Sequence, residues 1–245
     1  AAPRLRLGRM NFPTTQWSLL AQATLNDHPA GRHALGEFHR KYREPVLAFL
    51  RRRGLAPHDA EDMAQSFFIH LMQKATLRRA DSAKGRFRSF LLGALMRHLA
   101  QAREQREAAK RGGGVPQVSL DAVAEVFAEP AVDPAEVLAY DRDWALQLLG
   151  RALEAVAAEF RKQGREADFA VLRAYLPGSV PPVPPYEDSA ARLGLSLGAF
   201  KTEVHRLRGR VREWLRREIA TTVSLPEEID DEVAYLGRVL QSAAP

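Results

Sequence analysis

At 245 residues and 46% hydrophobic content the chain is long enough for two modest domains with packed cores, and the absence of cysteine excludes disulfides, thiolate nucleophiles and Cys-ligated zinc together. A formal net charge of +6 and a sequence pI near 9.9 favour a polyanionic partner. No apolar run is long enough to span a membrane and no apolar core follows the basic residues 1–10, so a cytoplasmic protein without a secretory leader is expected.

Helix formers dominate and strand-like alternation is scarce, which predicts an all-α fold. Residues 1–32 read as an extension holding one short helix, with Thr14 or Thr15 as N-cap before Trp17, Leu20 and Leu25. A first domain is expected over 33–111. It opens with Leu35, Phe38, Tyr42, Val46, Phe49 and Leu50 at helical spacing, Pro45 breaking or kinking the run and Gly54 ending it after Arg51, Arg52 and Arg53. Pro57 then starts a helix whose buried face is Ala60, Met63, Ala64, Phe67 and Leu71. Asp59, Glu61 and Asp62 suit its N-terminal dipole, and Glu61, Asp62, Gln65 and Phe68 are left for something outside the domain, a merely solvated acidic turn being the alternative.

Residues 80–88 form a polar turn with Gly85, leading into Phe87, Phe90, Leu91, Ala94, Leu95, His98 and Leu99 on another amphipathic helix. Lys84, Arg86, Arg88 and Arg97 cluster around it. Cations mixed with Phe87 and Phe90 suit phosphates and unstacked bases, although Phe90 and His98 also read as core. The sign of the charge then reverses. From 112 to 141 there is no Lys or Arg, while Asp133, Glu136 and Asp141 are among the acids; three glycines and three prolines complete the pattern of an acidic linker. Such a strap can occupy a cationic channel until nucleic acid displaces it.

The second domain is expected over 142–219. Trp144, Leu148, Ala152, Leu153, Val156 and Phe160 mark a long helix, Phe169, Leu172 and Tyr175 a shorter one, and residues 177–185 a stiff proline-rich connector. It delivers the chain to residues 186–217. There Gly194 terminates one helix, Ser196 caps the next, and Phe200, Val204, Leu207, Val211 and Leu215 form an apolar face with Lys201, Thr202, His205, Arg208 and Arg212 largely elsewhere. This is a helix-turn-helix pattern with its recognition helix from Leu197, or else a hairpin of helices with solvated arginines. Over 220–245, a capping box at 224–227 precedes Ile229, Val233, Leu236 and Leu240, a terminal helix expected to dock on the second domain or a partner. No nucleophile-base pair, metal-ligand spacing or phosphate-binding glycine loop occurs, so neither an enzyme nor a metal or cofactor is expected.

Four stretches in order, FPTTQWSLL, FLRRRGLAPHDAEDMAQSFF, KGRFRSFLLGAL and LGLSLGAFKTEVHRLRGR, resemble a bacterial RNA polymerase sigma factor of the compact extracytoplasmic-function type, in a planctomycete-like branch of the sigma-70 family. The resemblance covers about residues 33–217. It implies a domain 2-like bundle and a domain 4-like helix-turn-helix, which bind core polymerase at the clamp coiled coil of the largest subunit and the flap of the second. By that resemblance Asp62 and Gln65, with Glu61 and Phe68 beside them, dock on the clamp, Ser66 departing from a frequent acid. The 80–88 turn, with Lys84, Arg86, Arg88 and Arg97, would read the −10 element, and Phe90 matches the position tied to strand opening. The −35 element would fall to Ser196, Lys201, Thr202, His205 and Arg206, with Arg208 and Arg210 nearer phosphates. Ser189 and Leu197 depart from the family pattern. An anti-sigma or other regulatory protein is a further partner the resemblance allows. Two other readings compete: a stand-alone helix-turn-helix regulator, which leaves the acidic turn and linker unexplained, and a protein-binding helical adaptor, against which the paired basic surfaces count.

Overall fold

The computed structural model describes residues 29–71, 86–110, 133–176, 179, 182–223 and 225–242. The helix expected within 12–26, Lys84, most of the 80–88 turn and the linker up to residue 132 lie outside them. Among the described residues the fold is all-α: α1 (Pro29–Arg52), α2 (Pro57–Leu71), α3 (Phe87–Lys110), α4 (Pro134–Lys162), α5 (Glu166–Leu172), a 3-10 turn (Arg173–Tyr175), α6 (Tyr186–Arg192), α7 (Leu197–Ala220) and α8 (Glu228–Gln241). The chain divides into two compact units, Ala1–Asp141 with Ala220–Glu228, and Arg142–Ile219 with Ile229–Pro245.

The first unit is built around aromatic side chains. Phe38 and Tyr42 of α1 meet Phe87 of α3 at ring separations of 5.7 and 5.3 Å, and Phe38 meets Phe68 of α2 edge-on at 6.0 Å, so three helices share one apolar centre. Each such ring taken out of water contributes on the order of 2 kcal/mol. That packing carries α1 through Pro45 without a break: Tyr42, Val46 and Leu47 are fully buried around it, and their burial offsets the roughly 3 kcal/mol cost of the missing backbone bond. Gly54, at φ 85°, then closes the helix, Leu55 N–H reaching back to the Leu50 carbonyl at 3.3 Å and Gly54 N–H to Arg51 at 2.9 Å.

Two further segments complete this unit. Tyr140 stands perpendicular to Phe49 at 6.0 Å, and Arg53 forks onto Glu136 through bonds of 3.1 and 2.6 Å. The stretch read as linker therefore ends earlier than expected, since α4 already begins at Pro134. The reason is local: the Asp133 carboxylate accepts the Ala135 N–H at 2.9 Å and proline fills the first helical position, a start signal hidden inside an acidic composition. Residues 220–228 supply the other segment, where Thr222 and Val223 are buried and the Thr222 carbonyl accepts the Phe87 N–H at 3.1 Å.

In the second unit, Ala152, Val156 and Phe160 of α4, Phe169 and Leu172 of α5, and Phe200, Val204, Leu207 and Val211 of α7 form one apolar cluster. Leu240 of α8 packs against it, in line with docking of the terminal helix here. Tyr175 sits 5.2 Å from Phe200 and 4.6 Å from Tyr186, while its hydroxyl lies 2.9 and 3.1 Å from the Pro184 and Pro185 carbonyls, donating to one at a time. The end of the proline connector is thereby fixed to the core that carries α6 and α7. Ser224 of the expected capping box lies outside the described residues; next to it, Glu228 Oε2 at the start of α8 accepts the Leu225 N–H at 3.0 Å.

Candidate nucleic-acid interface

In the second unit the turn between α6 and α7 spans residues 193–196. Gly194 takes φ 66° because the Leu195 N–H must reach the Ala190 carbonyl, 2.9 Å away, and a Cβ-bearing residue pays for that conformation. Ser196 Oγ accepts the Ala199 N–H at 3.2 Å and starts α7. With Phe200, Val204, Leu207 and Val211 turned inward, Lys201, Thr202, His205 and Arg206 share the exposed side. Lys201, His205 and Arg212 have no side-chain partner among the described residues. Thr202 Oγ1 donates to the Gly198 carbonyl at 3.0 Å. Ser189 is buried and Leu197 half-buried.

Two arginines expected near phosphates have partners within the domain. Arg208 donates from Nε and Nη2 to the Tyr175 carbonyl at 3.1 and 2.8 Å, which caps the 3-10 turn, and Arg210 lies half-buried 5.1 Å from the Phe160 ring centre. Both guanidinium groups thus engage the domain itself, Arg208 while remaining exposed. A further network was not anticipated at all. Arg165, preceding α5, donates to Asp168 at 2.7 Å and to Glu203 Oε2 at 3.0 Å, while Arg206 donates to Glu203 Oε1 at 2.9 Å. The Arg165 hydrogen bond, with help from Arg206, holds the Glu203 carboxyl below the usual carboxylate range against the opposing pull of burial. The same contacts raise the Arg165 guanidinium further above its ordinary value.

In the first unit, Arg86, Phe90 and Arg97 are half-buried along one side of α3, Phe90 with its ring 6.1 Å from Phe87. Arg88 is different. Its side chain is 7% exposed and paired with Asp141, itself 2% exposed, so it is a structural cation rather than one offered to DNA. The sequence could not show this, because the partner comes from the stretch read as linker.

On α2, Asp62 and Gln65 are exposed and Ile69, 53% exposed, continues their stripe one turn further on. Helical spacing alone could have added Ile69. Phe68 is corrected in the opposite direction: it is buried, 5.4 Å from Phe67 and 6.0 Å from Phe38, because its position on the helix faces α1. Glu61 is half-exposed and held by Arg43 and Arg51, leaving Asp62 as the less encumbered acid. Below the same stripe Ser66 Oγ is 3.1 Å from His98 Nε2, and burial, followed by the nearby His70, lowers the His98 value from 6.5. No cluster of three metal-ligating side chains occurs among the described residues, and no helix there is long and apolar enough to cross a membrane.

Comparison with known proteins bears on the first unit. No curated protein and no solved structure matches the chain. Residues 38–108, which run from Phe38 of α1 through α2 and nearly to the end of α3, match the family model of Sigma-70 region 2. The matched segment contains both the α2 stripe and the basic, aromatic side of α3, and it supports placing the chain in the sigma-70 family.

Proposed function

We propose that the chain is an alternative sigma factor of the extracytoplasmic-function type, from a planctomycete-like branch, which joins core RNA polymerase and directs it to −10 and −35 promoter elements. The observation that carries this reading is the region 2 match over residues 38–108, followed in the same chain by a capped helix-turn-helix with exposed Lys201, Thr202, His205 and Arg206. In this reading the protein spends binding energy and makes or breaks no covalent bond. Residues 33–111 act as the domain 2-like body and 142–219 as the domain 4-like body, with the acidic stretch between them and extensions at either end.

Asp62, Gln65 and Ile69 dock on the clamp coiled coil of the largest polymerase subunit, and the helix-turn-helix unit meets the flap of the second. Arg86 and Arg97, with Lys84, hold the −10 backbone while Phe90 receives a base lifted from the stack. Opening a base step costs a few kcal/mol, which the phosphate contacts and aromatic stacking offset at about 1–3 kcal/mol per stacked base. Ser196, Lys201, Thr202, His205 and Arg206 set register on the duplex upstream. The place of action is the cytoplasm, at the nucleoid, where an anti-sigma protein is a further partner. Run-off transcription with purified core polymerase tests the proposal: defined transcripts that depend on the chain are expected, and failure to join core enzyme or to start RNA at any defined site would refute it.

A further inference from the structure

Arg206 is 65% exposed, and an exposed arginine three residues from a carboxylate ordinarily gains little, because two long side chains must be held in one geometry. Glu203 does not fit that description. Its side chain is 17% exposed, and the Arg165 guanidinium, which Asp168 holds in turn, fixes one of its oxygens. The entropy of ordering the carboxylate is therefore spent within the fold, and its second oxygen is a fixed acceptor for Arg206 Nη1.

From this relay, Asp168 to Arg165 to Glu203 to Arg206, we infer that Glu203 is a positioning residue for base reading, orienting Arg206 so that its remaining N–H groups meet a guanine edge. The inference rests on the reading of α7 as the helix that enters the major groove. Glu203 occupies only Nη1 of Arg206, which leaves Nε and Nη2 as the parallel pair of donors that matches O6 and N7 of guanine. The same carboxylate also offsets part of the positive charge that Arg165 and Arg206 would otherwise offer to phosphates. Glu203 therefore serves discrimination between bases and opposes affinity. A side chain that merely held the domain together would support both, and this difference in sign separates the two roles.

The test uses holoenzyme reconstituted from core polymerase and the full chain, with Glu203→Gln, Arg165→Gln and Arg206→Ala variants, and a pool of duplexes randomised across the upstream element. Bound duplexes are sequenced, affinity for the unselected pool is followed against salt, and thermal unfolding of each variant is recorded. In the wild type a G·C column is expected, and Arg206→Ala should flatten it. Glu203→Gln, nearly isosteric, and Arg165→Gln should each flatten that same column by roughly 5- to 10-fold, a good part of what a bidentate arginine–guanine contact confers. Glu203→Gln should leave overall duplex affinity equal or higher, with a salt dependence no shallower than wild type. Loss of the column in Arg206→Ala but its retention in Glu203→Gln would overturn the positioning role alone. If Arg206→Ala changes no column, Arg206 reads no base and the positioning role falls with it; if the pool yields no column at all, the assignment of α7 to base reading falls as well.

Discussion

The pair between Arg88 and Asp141 offers a measurement whose size follows from burial. Both side chains are almost completely removed from solvent, so replacing one leaves the other as a buried charge. Asp141→Leu should cost about 3–5 kcal/mol, a large fraction of the roughly 5–15 kcal/mol that keeps an ordinary domain folded. Arg88→Met should cost a similar amount. The combined Arg88→Met, Asp141→Leu protein should return to within about 1 kcal/mol of wild type, because two well-packed apolar side chains need no partner and burying the ions is itself expensive. The coupling in this cycle should thus exceed about 2 kcal/mol. Urea unfolding gives the stabilities, and amide exchange locates the loss: the first turn of α3 should lose protection in either single variant while the amides of α7 keep theirs. Promoter binding supplies a second check. A phosphate contact contributes about 0.9 to the slope of affinity against salt, so the double variant should retain the wild-type slope. Single variants within about 1 kcal/mol of wild type, or a double variant with a slope shallower by about one, would return Arg88 to the DNA-facing surface.

Asp62→Arg, at an exposed position of α2, should weaken co-purification with core polymerase by 10-fold or more while leaving thermal unfolding unchanged, on the order expected when an attractive charge contact becomes repulsive. Lys201→Ala with His205→Ala should change the upstream base preferences, since both side chains are exposed on α7 and uncommitted, and identical promoter profiles would remove that helix from recognition. Burial and His70 lower the His98 value from 6.5, so below that pH the unfolded chain binds more protons than the folded one. The stabilisation is present above 6.5 and is lost as pH falls; urea midpoints should decline across mildly acidic pH in the wild type and less steeply in His98→Gln.

What the sequence made legible was local. Gly54 and Gly194 lie in the left-handed region where helix stops were expected, Pro57 and Ser196 open helices, and the inward positions of α7 were readable from spacing alone, because each depends on residues within one or two turns. The start of α4 was just as local, in Asp133 and Pro134, but it was masked by an acidic, proline-containing stretch whose composition argues for a linker. Phe68 failed for a related reason: an aromatic beside an exposed stripe can fall on either side of it, and the approach of α1 decides which.

The arginines could not be sorted from sequence, because what distinguishes them is a partner far along the chain. Arg53 finds Glu136 83 residues away, Arg165 finds Glu203 38 away and Arg208 reaches the Tyr175 carbonyl 33 away. Each of these cations counts toward a net charge of +6, yet each is directed at an acid or a carbonyl of its own domain. Composition therefore overstates the charge available to phosphates. The cations on α7 that do remain uncommitted, Lys201 and Arg212, stand beside groups able to read bases, Thr202, His205 and Arg206. A helix so arranged should gain less from bulk electrostatics than its sequence suggests and more from the geometry of a few donors, and for that reason the anchoring of a single carboxylate beneath Arg206 matters to what it selects.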